Sequence, residues 1–255
     1  MSEAKVRRVV LVTGASGGVG RGIALACGRA GWTVWIAARR EREAAEVALE
    51  VDRAGGRGHS VTCDAADRES VAGAVDAVVS CSGRLDGAVH NATSGLSPRP
   101  CDLAEVPMAD VADHVAVSVR GTYLVAAAVH PHLVESSGAL VVLTSEAGFE
   151  GKANLPVYAA VKGAQRGLAR ALAREWGPEG VRVNAVAPLA ATPAMSEAFE
   201  RDPEMADRVL ARNPLGRLGD ATDDVGPVVR FLLSDDARYV NGLTVRADGA
   251  SCPIT

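Results

Sequence analysis

An α/β fold, with a doubly wound and mainly parallel sheet of seven strands and helices on both faces, is predicted by three features of this 255-residue sequence. Short β-rich apolar runs alternate with longer segments of helical periodicity, the pattern of successive βαβ units. Most of the short runs are apolar throughout, as strands covered on both faces must be. A hydrophobic content of 48% at this length also supports one sizeable core without disulfides or metal.

The elements follow in order along the chain. The strand RVVLVT stops at the glycines of TGASGGVG, and the helix VGRGIALACGRAG opens from them. TVWIA leads into the helix EREAAEVALEVDRAG. GHSVTC leads into DRESVAGAVDAVVS, with Asp67 as its expected N-cap. LDGAVH precedes the long helical stretch MADVADHVAVSVRGTYLVAAAVHPHL, and ALVVLT precedes LPVYAAVKGAQRGLARALAREWG. After VRVNAVA, Pro193, Pro203 and Pro214 break the helical pattern from Thr192 to Gly219. That segment is read as a lid over the carboxyl edge of the sheet, where open α/β sheets bind ligands. LTVRA is the closing strand of a single domain spanning residues 1–255.

Composition excludes several classes of function. A net charge of −4 with interleaved signs offers no footprint for nucleic acid or anionic lipid, and 4% aromatic content leaves little for base stacking. The apolar run after the basic residues of MSEAKVRR is too short for a signal segment or a membrane span. Cys27, Cys63, Cys81, Cys101 and Cys252 are odd in number and scattered, without metal-ligand spacing, and read as reduced thiols of a cytoplasmic protein.

Chemistry concentrates in a few motifs. Gly14, Gly18 and Gly20 stand between a strand and a helix, where glycines let the backbone turn tightly and approach a pyrophosphate at the helix N-terminus. Tyr158 and Lys162 in YAAVKG lie one helical turn apart and so share a face. Taken alone, such a pair is as compatible with two surface residues as with a catalytic pair.

In their order, these motifs resemble the short-chain dehydrogenase/reductase family in its form of about 250 residues. Thr13, Gly14, Gly18 and Gly20 match its Thr-Gly-x-x-x-Gly-x-Gly; CDAAD, HNAT, TSEAG, YAAVK, NAVAP, PLGR and NGLTVRADGA follow in the family's sequence. The resemblance covers nearly the whole chain and implies a Rossmann-type fold, an oxidoreductase activity and a homotetramer. It also implies Tyr158 as general acid/base, Lys162 lowering the phenol's pKa and holding the nicotinamide ribose, and Ser145, thirteen residues before Tyr158, binding the substrate oxygen. Coenzyme contacts carried over are Gly14, Ser16, Gly18, Val19, Gly20, Asp64, Ala65, Asn91, Ala92, Tyr158, Lys162, Pro188 and Thr192. No metal is implied. As plain residues, Asp64 would solvate a loop, Asn91 would form a turn and Ser145 would simply end a strand.

Coenzyme choice is read after the second strand. Ala38 occupies the place of the acid that binds a ribose hydroxyl in NAD-preferring relatives, and Arg39 follows with Arg40 beside it, which points to NADP(H), with NAD(H) as the alternative. The competing reading of Arg39 is a solvated basic turn.

Three departures from the family matter. Thr93 replaces a glycine near the coenzyme. Ser118 stands where relatives carry an asparagine that helps hold a proton-relay water; a serine there either bonds back to its helix or holds the water itself. Leu189 follows Pro188 where relatives have glycine, which shifts Thr192 by one residue. Glu146 is read as a solvated carboxylate in preference to a substrate contact. Leu96, Phe149, Leu155 and Met195 promise a partly apolar pocket. The reading is thus an NADP(H)-dependent enzyme acting on a carbonyl or secondary alcohol; the competing one is a catalytically weak coenzyme sensor or scaffold.

Overall fold

The structure is a computed structural model that describes residues 7–97 and 99–252; the N-terminal residues 1–6 of the reading above lie outside them. Its strands are β1 (Val9–Thr13), β2 (Thr33–Ala38), β3 (Arg57–Thr62), β4 (Gly87–His90), β5 (Ala139–Leu143), β6 (Arg182–Pro188) and β7 (Thr244–Ala247). They form one sheet in the order β3-β2-β1-β4-β5-β6-β7, with every pairing parallel. All seven expected strands are present, each within two residues of its expected bounds.

The helices are α1 (Gly18–Arg29), α2 (Glu41–Arg53), α3 (Arg68–Ser82), α4 (Met108–His114), α5 (Gly121–Ser136), α6 (Ala147–Glu150), α7 (Pro156–Trp176), α8 (Pro193–Arg201), α9 (Pro203–Ala211) and α10 (Gly226–Leu233). The period-two geometry of strands divides their side chains between two cores. Val9, Leu11, Trp35, Leu140 and Val142 pack with α3, α5 and α7. Val10, Val12, Val34, Ile36 and Val141 pack with α1, α2 and α10. Each fully buried aliphatic side chain stabilises the fold by roughly 1.5–3 kcal/mol, which explains why both faces of the strands read as apolar.

Three local features bear on the site. Asp67 does cap α3, accepting from the Ser70 amide at 2.7 Å, and Gly83 ends that helix at φ 72°. The stretch read as one long helix is interrupted by a π-helical turn, Val115–Arg120, between α4 and α5. In the 192–219 segment, α8 and α9 rise from a closed base. There Ala190 pairs with Gly219, the Ala191 amide donates to the Gly219 carbonyl at 2.8 Å, and the Gly219 amide donates to Leu189 at 3.1 Å.

The chain leaves β1 toward β2 and β3 on one side and returns to β4 on the other. Such a reversal of strand order opens a crevice between the carboxyl ends of β1 and β4.

Candidate active site

The floor of that crevice is backbone. Gly14 and Gly18 hold φ of 64° and 54°. A Cβ on Gly14 would lie 2.7 Å from Ala92 Cα, and one on Gly20 would lie 2.6 Å from both the Gly14 carbonyl oxygen and Asn91 Nδ2. Asn91 Nδ2 donates to the carbonyls of Thr13 and Gly14 at 3.2 and 2.9 Å, while Thr13 Oγ1 accepts from the amides of Asn91 and Ala92. Asn91 therefore staples the turn after β1 to the turn after β4, with its amide hydrogens used within the protein.

Above this floor α1 begins with no side-chain cap and no acidic residue in its first turn. Its first amides and the positive end of its dipole are thus left uncapped by side chains. A floor that a side chain would fill, beneath an uncapped helix start, fits the pyrophosphate of a dinucleotide. Ser16 and Val19 stand half-buried around the turn, and Arg40 Nη2 donates to Ser16 Oγ at 3.1 Å. Arg39 is exposed beside it. Asp64 spends one carboxylate oxygen on the Ala66 amide at 3.0 Å, and Ala65 is buried. Pro188 ends β6, and Thr192 lies 4.0 Å from where a Gly18 Cβ would stand while accepting from the Met195 amide at the start of α8. The nearby Thr93 is exposed.

Across the crevice, β5 delivers Ser145 and α7 delivers Tyr158 and Lys162. Their relative placement is set by backbone packing: Thr144 Oγ1 donates to the Lys162 carbonyl at 2.8 Å, and a Cβ on Gly148 would lie 2.7 Å from the Gly163 amide. Ser145 lies beside the phenol of Tyr158 and favours its ionised form. Lys162 Nζ lies 5.7 Å from the Tyr158 ring centroid and donates to the Leu143 carbonyl at 3.0 Å. Burial pulls the Lys162 ammonium down to about 8. Burial likewise pushes the phenol up to about 12, with Ser145 opposing and Glu146 adding to the rise. Desolvation outweighs the opposing effect of Ser145.

Glu146 corrects one expectation. It is not solvated: its side chain keeps 16% exposure, accepts from Ser145 Oγ at 2.8 Å through Oε2, and pairs with Lys152 through Oε1.

Ser118 is fully buried in the π-helical turn, and its hydroxyl has no partner among the described residues, so it does not bond back to its helix. The Ser118 carbonyl accepts from Thr122 Oγ1 at 2.5 Å and from Gln165 Nε2 at 3.2 Å. His90 Nε2 and Gln165 Oε1 are likewise buried without hydrogen-bond partners among the described residues. His90 and Gln165 were not read from the sequence; the one available signal was a histidine closing the apolar strand LDGAVH. Beside Tyr158, Leu96, Pro107, Asn154 and Leu155 line a cavity of about 370 Å³, which includes two residues of the expected apolar pocket. Phe149 instead stacks beneath Arg166, whose guanidinium carbon is 3.5 Å from the ring centroid. Among the described residues no group of side chains could hold a metal ion, and no helix is long and apolar enough to cross a membrane.

A family profile described as enoyl-(acyl carrier protein) reductase matches residues 14–250. A short-chain type dehydrogenase/reductase from Mycobacterium ulcerans has the same fold, with TM-score 0.90 and 30% identity over 96% of this chain and 90% of that one. The chain belongs to the short-chain dehydrogenase/reductase family. Among its relatives, a subunit of (2S)-[(R)-hydroxy(phenyl)methyl]succinyl-CoA dehydrogenase from Thauera aromatica is 36% identical over 92% of each chain. The structure of a 3-ketoacyl-(acyl-carrier-protein) reductase from Brucella melitensis complexed with NADH is 29% identical, with TM-score 0.86 over 96% of this chain and 98% of that one. This short-chain dehydrogenase/reductase is an NAD(P)-dependent oxidoreductase acting on CH–OH and carbonyl groups of small molecules, so the sensor or scaffold reading is set aside.

Proposed function

We propose that the enzyme acts with NADP(H) on a small or medium ketone or secondary alcohol, with Tyr158 as general acid/base. The observation that carries this reading is the convergence of Ser145, Tyr158 and Lys162 at the carboxyl edge of the sheet, with Ser145 beside the phenol and the ammonium 5.7 Å from the phenol ring. The coenzyme, when bound, supplies the hydride acceptor or donor. Tyr158 gives its proton to a substrate oxygen in reduction and takes it back in oxidation, while Ser145 orients that oxygen. Lys162 stabilises the phenolate and donates to the ribose hydroxyls. Ser118 serves the proton supply to Lys162. The buried atoms Ser118 Oγ, His90 Nε2 and Gln165 Oε1, which have no partner among the described residues, support that role, because buried polar atoms of this kind hold ordered water.

The coenzyme's bed is assigned to Gly14, Ser16, Gly18, Val19, Gly20, Asp64, Ala65, Asn91, Ala92, Pro188 and Thr192. Preference for NADP(H) is assigned to Arg39, with Arg40 beside it; the Arg40 guanidinium already lies at Ser16, and two cations suit a 2′-phosphate. Residues 192–219 act as the substrate lid, supported by two helices on a closed base. A homotetramer is supported by the apolar side chains Val115, Tyr123, Phe231 and Tyr239 exposed on the surface. The test is Tyr158→Phe. Turnover should fall by ~10²–10⁴-fold while coenzyme affinity is retained, since only the proton-transferring hydroxyl is removed. Wild-type turnover in the variant would exclude Tyr158 as the acid/base.

A further inference from the structure

The one hydrogen of the Ser145 hydroxyl is committed to Glu146. A serine hydroxyl has one hydrogen to donate and two lone pairs to accept with. Here the hydrogen goes to Glu146 Oε2 at 2.8 Å, and a lone pair takes the Ala147 amide at 3.3 Å. A serine so engaged has no hydrogen left for a substrate oxygen, which is the contact its proposed role requires. Glu146 must therefore release it when substrate binds, and a carboxylate this enclosed loses much of its hydrogen bonding unless another donor takes the serine's place.

The arrangement specifies that donor. Oε1 of Glu146 is already paired with Lys152, which leaves Oε2, the atom now held by Ser145, as the receiving oxygen. The Lys152 ammonium neutralises the carboxylate and would repel an incoming cation, so a neutral hydroxyl fits where an amine does not. A substrate carboxylate would face Glu146 itself. Because Oε2 is one hydrogen bond from Ser145 Oγ, the new donor must sit close to the reacting oxygen.

We propose that Glu146 is a specificity-determining residue that selects substrates bearing a second hydroxyl on the carbon next to the reacting one, with this hydroxyl donating to Glu146 Oε2 and freeing Ser145 for the reacting oxygen. The inference rests on the assignment of Ser145 and Tyr158 above. The second hydroxyl is only held; it is neither oxidised nor deprotonated.

The experiment compares cyclohexanol with trans-1,2-cyclohexanediol, which differ by that one group, in oxidation by the wild-type protein. The diol should be favoured in kcat/KM by about tenfold, the scale of one hydrogen bond to a charged acceptor. In Glu146→Ala this ratio should collapse to within about twofold, with the diol losing and the mono-alcohol gaining as Ser145 is released. Glu146→Gln keeps the size of the side chain and an accepting oxygen, and should give a ratio between the two. Dissociation constants of both alcohols, measured with oxidised coenzyme in a Tyr158→Phe background that blocks turnover, should rank in the same way. Oxidation of both alcohols by the wild type without preference, or a Glu146→Ala variant that keeps the wild-type ratio, would overturn the inference. Activity on neither alcohol, with diol binding still preferred and abolished by Glu146→Ala, would count against the acid/base assignment and uphold the selection.

Discussion

Replacing Gly20 by alanine tests whether the crevice floor is as tight as its geometry requires. The new Cβ would stand 2.6 Å from the Gly14 carbonyl oxygen, 2.6 Å from Asn91 Nδ2 and 2.8 Å from Ala15 Cα. Two of these are backbone atoms that cannot swing aside. Overpacking of this kind costs roughly 1–3 kcal/mol, and displacing the Asn91 amide loses two hydrogen bonds of about 1 kcal/mol each. Alanine returns about 1 kcal/mol through its better helix propensity. The net loss is about 2–4 kcal/mol, a fall in Tm of roughly 5–15 °C for a chain of this size. Coenzyme affinity should fall with it, because the turn and the uncapped start of α1 move together. Gly17→Ala is the control: its backbone is extended at φ 176° and its Cβ would meet only Arg40 Nη2 at 3.7 Å. It should stay within about 0.5 kcal/mol of wild type. Melting curves and coenzyme titrations of the two variants decide the matter. A Gly20→Ala protein as stable and as tight-binding as Gly17→Ala would refute the close approach of the β1 and β4 turns.

Two further outcomes follow from charged groups. His90 is fully buried and held down to about 3, by burial first and by the Lys162 charge second. An unfolded histidine titrates near ~6.5. Between these values the unfolded chain binds the extra proton, so stability rises with pH across that window and is lost on acidification, by up to ~1.4 kcal/mol per pH unit from this group. His90→Asn should flatten this dependence in denaturant melts from pH 7 to 4; an unchanged slope would show that His90 is not the group responsible. Arg39→Ala and Arg40→Ala should each weaken NADPH binding by about tenfold, at the lower end of a charge-assisted contact because both side chains are exposed, and leave NADH nearly unaffected. The NADPH advantage of the wild type should shrink as salt rises; tighter wild-type binding of NADH would defeat the coenzyme assignment.

Helices and strands were legible because local rules and tertiary packing agree. Apolar runs such as VVLVT and ALVVL are buried on both faces in the structure, and the Asp67 cap and Gly83 terminus sit where turn chemistry puts them. The helix α10 escaped the reading because it is short and carries Pro227 in its first turn. The π-helical turn at Val115–Arg120 escaped it because its sequence keeps ordinary helical periodicity.

The site divides in the same way. Spacing along one helix was enough to put Tyr158 and Lys162 on a common face, since a helical repeat is a local property. The glycines around the start of α1 were legible for the same reason: backbone conformation and helix-end charge depend on neighbours in sequence. What lay beyond the sequence was every quantity set by groups distant along the chain. Burial moves the phenol and the ammonium in opposite directions, and Asn91 holds the Gly14 turn from seventy-seven residues away. Glu146 changed from an expected solvated acid to the partner of Ser145 because Lys152 folds back to it from the loop after α6. A carboxylate's solvation and pairing are decided by which surfaces close around it, and only the tertiary structure brings those surfaces together.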